Sequence, residues 1–221
     1  MPAAIGFDVY GTLVDPLAIA EPLRPIVGDR ADDFARSWRR TQLEYAFRRA
    51  LMRQYVPFDV CIRQALEHAA REFGVELSEA DRQSLIVKTR ELPPFPDAAP
   101  ALAKLRDDGH ELMAFSNGLE ANVRAVLGHA GILDYLEGVV SADDIETFKP
   151  DPRAYHHLLG RLSRPSGETW VVSANPWDVL GAKAAGLQAV WVQRHPQVFD
   201  TWDVEPDLIV TSLEELPARL A

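Results

Sequence analysis

Residues 4–13 read AIGFDVYGTL, an apolar run that passes into an acid, Asp8, and then into a glycine. Short apolar runs rich in β-branched and aromatic residues are typical of buried strands. We predict a strand over Ala4–Tyr10, with Gly11 allowing a sharp backbone turn after it. An acid at such a point can act as a nucleophile. It is also ordinary turn chemistry, so the assignment depends on the rest of the chain.

Five more runs of this kind follow, at Glu111–Ser116, Gly138–Ser141, Trp170–Ser173, Ala189–Gln193 and Leu208–Thr211. Helix-like segments separate most of them, at Asp97–Asp108, Leu119–Ala130, Pro152–Leu162 and Asp178–Ala185. Strands that alternate with helices indicate an α/β fold with a parallel sheet.

One long stretch interrupts this alternation. From about Pro16 to Leu92 the sequence shows only amphipathic helical patterns, as in Phe34–Met52 and Val60–Phe73. A proline cluster at residues 93–96 ends it, because proline cannot continue a helix. We therefore predict a core domain of residues 1–15 and 94–221, and a helical cap domain of residues 16–93.

Composition excludes several classes of partner. The 221 residues carry a net charge of -10, which argues against binding nucleic acid or an anionic membrane surface. No apolar run approaches the roughly 20 residues that a membrane-spanning helix needs. The single cysteine, Cys61, and the lack of a secretory-type start favour a cytoplasmic protein.

Polar residues at the strand ends are the candidates for chemistry, because ligands of open α/β sheets bind beyond the carboxyl ends of the strands. They are Asp8, Ser116 with Asn117, Lys149, and Asn175 with Asp178. Each has a simpler interpretation when taken alone, such as a helix cap or a solubilising lysine. An acid, a serine, a lysine and a second acid in this order are unlikely to arise by chance.

This ordered set resembles the four-motif signature of the haloacid dehalogenase (HAD) superfamily, and the resemblance covers nearly the whole chain. It implies a Rossmann-like parallel sheet with a helical cap inserted after the first strand. Phosphatases of this superfamily carry a second acid where Tyr10 stands and another where Ser173 stands. With only Asp8 and Asp178 left, the site is poor for Mg²⁺, so we predict no metal and no cofactor.

Two motifs are similar to those of the (S)-2-haloacid dehalogenases, namely DVYGT at residues 8–12 and SANPWD at residues 173–178. The segment WRRTQLEY at residues 38–45 resembles the part of that family's cap whose arginine enters the active site, which corresponds to Arg39. Arg40 departs from several relatives, which carry an uncharged residue there.

The resemblance implies that Asp8 displaces halide from C2 of a small anionic 2-haloacid and forms an ester that water hydrolyses. The implied catalytic residues are Asp8, Arg39, Ser116, Lys149, Asn175 and Asp178. The implied substrate and halide contacts are Tyr10, Arg39, Leu43, Phe58, Ser116, Asn117 and Trp177. The implied supporting residues are Thr12, Tyr155 and Ser173.

Two alternatives stay open at this point: a Mg²⁺-dependent phosphatase of the same superfamily, and a catalytically inactive protein that binds a ligand. The resemblance also implies a preference for the L enantiomer and a homodimer, since many relatives are dimers.

Overall fold

The computed structural model of the protein describes residues 2–220. Its strands are β1 (Ala4–Phe7), β2 (Glu111–Ser116), β3 (Gly138–Ser141), β4 (Thr169–Ser173), β5 (Gln188–Val192) and β6 (Leu208–Val210). Over the described residues they form one six-stranded sheet in the order β3-β2-β1-β4-β5-β6, with every neighbouring pair parallel. The predicted α/β fold with a parallel sheet is confirmed.

Strand β1 is the centre of this sheet. It pairs with β2 on one side and with β4 on the other, so that Phe7 lies beside Ala114 and Val172. Ile5 and Phe7 are fully buried, as expected for a parallel sheet that is covered on both faces. The residue that follows β1, Asp8, therefore emerges at the middle of the carboxyl edge of the sheet.

Helices pack around the sheet, and the first five of them, α1–α5, lie in the chain between β1 and β2. They are α1 (Ala20–Val27), α2 (Ala31–Met52), α3 (Phe58–Glu72), α4 (Glu79–Lys88), α5 (Ala98–Asp107), α6 (Glu120–His129), α7 (Pro152–Leu162), α8 (Pro176–Ala184) and α9 (Leu216–Arg219). None of the helices within residues 2–220 is both long and apolar enough to cross a membrane.

The predicted first strand, Ala4–Tyr10, is wrong at its end, because β1 stops at Phe7. The carbonyl oxygen of Val9 accepts backbone N–H groups from Leu13 and Val14 at 2.9 and 3.0 Å. These bonds close a tight loop just after Asp8, so the apolar Val9 and Tyr10 leave the sheet. The other five strands differ from their predicted bounds by at most one residue at either end.

Residues 16–92 contain helices α1–α4 and, among the described residues, no strand. Helices α2 and α3 pack together, and the buried Trp38 indole N–H of α2 donates to the carbonyl of Ile62 in α3 at 2.9 Å. Helix α4 begins with a capping box formed by Ser78 and Asp81. Such a cap satisfies backbone donors that a helix start leaves free.

The two chain segments that lead into and out of this helical stretch are joined by hydrogen bonds. The N–H of Asp15 donates to the carbonyl of Pro93 at 3.0 Å, and the N–H of Phe95 donates to the carbonyl of Leu13 at 2.9 Å. The proline cluster therefore lies against the loop that carries Asp8.

Gly181 in α8 provides a test of how closely α8 and α7 approach. A Cβ placed on Gly181 would overlap the hydroxyl of Tyr155 and would lie 2.7 Å from Pro150 Cβ. We expect Gly181→Ala to lower the free energy of unfolding in urea by about 1–3 kcal/mol, as overpacking does in a core.

Gly160 in α7 is the matched control, because a Cβ added there meets nothing within 4 Å. Gly160→Ala should raise the free energy of unfolding by about 0.5–1 kcal/mol, because alanine is the better helix former. Similar effects of the two substitutions would contradict the close approach of α7 and α8.

Candidate active site

Three charged side chains meet beyond the carboxyl edge of the sheet. The Lys149 ammonium lies 3.0 Å from Asp8 Oδ1 and 2.8 Å from Asp178 Oδ2, and it also donates to the carbonyl of Phe115 at 3.0 Å. All three charged residues are at most 5% exposed. The three N–H groups of the ammonium are therefore all occupied, and two of them hold carboxylates.

The electrostatics of this cluster follow from its burial. Burial alone would lower the pKa of Lys149, but the carboxylates of Asp178 and Asp8 outweigh it and raise that pKa above its usual value. One ammonium faces two acids, so the negative charge is not fully balanced. Burial accordingly raises the pKa of Asp178, and the charge of Asp8 adds to this effect although Lys149 opposes it.

The second oxygen of Asp8 is held by two other donors. The hydroxyl of Thr12 donates to Asp8 Oδ2 at 2.8 Å, and the side-chain amide of Asn175 donates to the same oxygen at 2.8 Å. Thr12 Oγ1 in turn accepts the backbone N–H of Ala174 at 2.9 Å. Both oxygens of Asp8 are thus fixed, which orients the carboxylate before any ligand arrives.

Asp178 is fixed in a similar way from the side of α7. The Tyr155 hydroxyl donates to Asp178 Oδ1 at 2.7 Å, while Oδ2 accepts from Lys149. Burial raises the pKa of Tyr155 well above its usual value, and the negative charge of Asp178 adds to this effect. The tyrosine is therefore a neutral donor at physiological pH.

Helix α2 brings Arg39 over the loop that carries Asp8. Arg39 Nη2 donates to the carbonyl of Tyr10 at 3.2 Å, and its guanidinium carbon lies 5.9 Å from the centre of the Tyr10 ring. Burial lowers the pKa of Arg39, although the negative charge of Asp8 opposes this shift. Burial also raises the pKa of Tyr10 to about 12. The Tyr10 side chain is therefore uncharged at neutral pH.

A cavity of about 380 Å³ opens beside these residues. Tyr10, Arg39, Leu43 and Asn175 line it. Phe58 lines a much smaller adjoining cavity together with Tyr10 and Arg39. Four of the residues predicted for the site therefore share one cavity, and a fifth lies at its neighbour.

Trp177 packs beside Lys149. Its ring packs against Phe47 at 5.2 Å between centroids, and the Lys149 ammonium lies 5.9 Å from its centre. It is not among the residues that line the 380 Å³ cavity.

Three other predicted residues bond mainly to the backbone of the site. Ser116 Oγ accepts the N–H of Gly118 at 3.1 Å, and Ser173 Oγ accepts the N–H of Asn175 at 3.1 Å. Asn117 Oδ1 accepts the N–H of Lys149 at 2.6 Å, and the Asn117 amide donates weakly to the Lys149 carbonyl at 3.4 Å. These contacts fix the loops that carry Lys149 and Asn175.

Sequence reasoning missed Arg194 and its partner Asp97. Arg194 lines the same cavity and bonds to the carbonyl of Thr12 and to the carboxylate of Asp97. It comes two residues after β5, at the same edge of the sheet as the predicted residues. That position was the available signal.

No group of three or more histidines, cysteines, aspartates and glutamates within residues 2–220 is arranged to hold a metal ion. The position between the two buried carboxylates is taken by the Lys149 ammonium.

The parallel sheet with a buried acid–lysine–acid cluster at its carboxyl edge defines the class of the protein. The family model for haloacid dehalogenase-like hydrolases matches residues 2–186. The chain belongs to this family and is an enzyme of the hydrolase type.

Among its relatives, (S)-2-haloacid dehalogenase 2 from Pseudomonas sp. (strain CBS-3) is 34% identical over 97% of this chain and 93% of the relative. Haloacetate dehalogenase H-2 from Moraxella sp. (strain B) is 35% identical over 99% of this chain and 97% of the relative. The solved structure of L-2-haloacid dehalogenase from Xanthobacter autotrophicus with chloropropionic acid covalently bound has a TM-score of 0.94 and 30% identity, covering 100% of this chain and 98% of that chain. The predicted resemblance to the (S)-2-haloacid dehalogenases is confirmed.

The buried ion pair of Lys149 can be tested by its removal. Lys149→Met leaves two buried carboxylates without their ammonium, so we expect the free energy of unfolding at pH 7.5 to fall by about 3–5 kcal/mol. The control is Lys183→Met, which breaks a pair with Asp207 at 2.7 Å whose side chains are 23% and 26% exposed, and which should cost at most about 1 kcal/mol. A Lys149→Met loss no larger than the Lys183→Met loss would contradict the assignment.

The difference in unfolding free energy between wild type and Lys149→Met should depend on pH. The pKa of Lys149 in the folded state lies above its usual 10.5, so its stabilisation is present below about pH 10.5 and is lost as the pH rises through the folded-state pKa. Lys149→Met lacks this alkaline loss. The difference in stability between wild type and variant should therefore narrow above pH 10.5.

Proposed function

We propose that the protein hydrolyses short-chain 2-haloalkanoic acids to 2-hydroxy acids and halide through an ester on Asp8. The observation that carries the proposal is the Asp8 carboxylate itself. It is buried and held by Lys149, Thr12 and Asn175 within 3.0 Å, and Asn175 connects it to the cavity that Arg39 also lines. The names and the covalent chloropropionic acid of the relatives support this choice.

In the first step an oxygen of Asp8 attacks C2 of the substrate, and the carbon–halogen bond breaks with inversion at C2. The electron pair of that bond leaves with the halide. Because a halide needs no proton to leave, no acid is required where Tyr10 stands. The hydrogen bonds to Asp8 hold the carboxylate in one orientation, which is the contribution that positioning makes to such a displacement.

The departing halide needs donors that are fixed in advance and shielded from water. Arg39 supplies a guanidinium at the cavity, and the side-chain amide of Asn117, with its weak 3.4 Å bond, is the second donor. Apolar surface that excludes water from the carbon comes from Tyr10 and Leu43 in the cavity and from Phe58 in the adjoining one. Trp177 contributes from beside Lys149.

The substrate carboxylate requires donors of its own. Ser116 and the backbone N–H groups of the loops after β1 and β2 serve this purpose. Lys149 has no free N–H, because its three donors hold Asp8, Phe115 and Asp178. We therefore assign Lys149 to the charge balance of the two acids and not to direct binding of substrate.

In the second step water attacks the carboxyl carbon of the Asp8 ester and releases the 2-hydroxy acid with inverted configuration. Asp178, whose pKa is raised by burial, accepts a proton from this water in the proposed mechanism, and Asn175 and Ser173 orient the loop beside it. Thr12 and Tyr155 support the two acids through their hydroxyls. The bond between the Asp8 carboxyl carbon and the substrate oxygen then breaks, Asp178 returns its proton to that oxygen, and the second proton of the water is lost to solvent as Asp8 becomes a free carboxylate again.

The reaction needs no metal ion in this proposal, because the Lys149 ammonium supplies the positive charge between the acids.

We propose further that residues 1–15 and 94–221 form the core domain and that residues 16–93 form a helical cap that carries Arg39. A cytoplasmic location fits the single, buried Cys61. A homodimer fits the exposed Leu51 and Met52 on α2, whose side chains are 86% and 58% exposed.

The test is halide release from chloroacetate, fluoroacetate and both enantiomers of 2-chloropropionate, in EDTA and without added metal. We expect release with wild type, a preference for (S)-2-chloropropionate, and no detectable release with Asp8→Asn, because the amide is a poor nucleophile. Asp107→Asn is the control, because Asp107 is an exposed acid on α5 whose nearest cation, Arg106, lies 4.0 Å away, and it should retain activity.

Two other outcomes would contradict the proposal. Turnover of a phosphomonoester only, and only with Mg²⁺, would make the protein a phosphatase of the same family. No detectable activity of the wild-type protein in either assay would favour a protein that binds ligands without catalysis.

A further inference from the structure

Arg194 makes contacts on two sides at once. Its Nε and Nη2 donate to the carbonyl of Thr12 at 3.2 and 2.5 Å, and its Nη1 and Nη2 donate to the carboxylate of Asp97 at 3.1 and 3.0 Å. The guanidinium carbon lies 3.8 Å from the centre of the Phe95 ring. The side chain is 10% exposed, so it is locked in a single, nearly buried arrangement.

Asp97 is a firm anchor for this arginine. It also accepts the N–H of Leu213 at 2.8 Å and the hydroxyl of Ser212 at 3.1 Å. Burial alone would raise the pKa of Asp97, but Arg194 and the Leu213 amide outweigh it and lower that pKa. Asp97 is therefore a carboxylate that is tied to the turn before α9 as well as to Arg194.

The other side of Arg194 leads to the nucleophile. Thr12, whose carbonyl Arg194 holds, donates its hydroxyl to Asp8 Oδ2 at 2.8 Å. Phe95, on which Arg194 stacks, bonds through its N–H to the carbonyl of Leu13. The guanidinium thus braces the loop that carries Asp8 at two neighbouring points.

We propose that Arg194 is a positioning residue that fixes the angle at which Asp8 attacks the substrate. The inference rests on the proposed function. A lysine cannot replace it, because a single ammonium cannot hold the Thr12 carbonyl and both oxygens of Asp97 while it stacks on an aromatic ring. Four of the five N–H groups of Arg194 are engaged within the protein, so we assign it to holding the loop and not to holding the substrate.

A loop that is no longer braced lets the Asp8 carboxylate turn away from the line of displacement, which slows the chemical step and leaves substrate binding intact. A misplacement of about 1 Å can cost roughly 100-fold in rate. We expect Arg194→Lys to lower the single-turnover rate of halide release from (S)-2-chloropropionate by about 10-fold or more, with KM within about 2-fold of wild type.

Two comparisons separate positioning from a general loss of stability. Ser212→Ala removes one hydrogen bond from Asp97 and leaves Arg194 in place, so its rate should stay within about 2-fold of wild type even where its stability falls. Arg194→Ala opens a space at the cavity wall, and guanidinium chloride at low, non-denaturing concentration should restore part of its rate, whereas sodium chloride at the same concentration should not.

An Arg194→Lys rate equal to wild type, or a change confined to KM, overturns this inference and leaves the proposed function standing. Failure of guanidinium to restore any rate to folded Arg194→Ala also overturns it. A wild-type protein that releases no halide overturns the proposed function and this inference together.

Discussion

The Lys149 ammonium, buried between the carboxylates of Asp8 and Asp178 at 3.0 and 2.8 Å, is the contact on which the arrangement of the site depends. Two carboxylates without a cation between them would repel each other and could not both stay ionised in a buried site. The ammonium also fixes distances between parts of the chain that are far apart in sequence. It joins the end of β1, the loop before α7 and the first turn of α8.

The loop between Phe7 and Asp15 is where the sheet and the helical segment act on the nucleophile together. From one side, Arg39 of α2 bonds to the carbonyl of Tyr10. From the other side, Arg194 bonds to the carbonyl of Thr12. A short loop held at both of these carbonyls has little freedom, which is the condition that an in-line displacement at carbon requires.

Five of the six strands were predictable because short apolar runs of four to six residues, separated by helical patterns, are typical of buried strands. The end of β1 was not, since Val9 and Tyr10 are as apolar as the strand before them. Only the tertiary structure shows that the Val9 carbonyl turns back to accept N–H groups from Leu13 and Val14. Local pattern and tertiary hydrogen bonding compete here, and the hydrogen bonding prevails.

The candidate site divides along similar lines. Asp8, Lys149 and Asp178 could be selected because each follows a strand or opens a helix at the carboxyl edge of the sheet. Arg39 could be selected only through the resemblance, since one arginine on a helix looks like the next. Arg194 was missed because its partners, Thr12 and Asp97, lie 182 and 97 residues away, and sequence alone does not pair such positions.

The most direct test of the account is the fate of heavy oxygen during turnover. Wild-type protein would be incubated with (S)-2-chloropropionate in H₂¹⁸O for many turnovers. The protein would then be digested, and the mass of the peptide that contains Asp8 would be measured by mass spectrometry. If Asp8 forms an ester that water cleaves at the carboxyl carbon, ¹⁸O accumulates in the Asp8 peptide only when substrate is present. Release of halide and 2-hydroxy acid with an Asp8 peptide that stays unlabelled would mean that water attacks C2 directly, and would contradict the central claim.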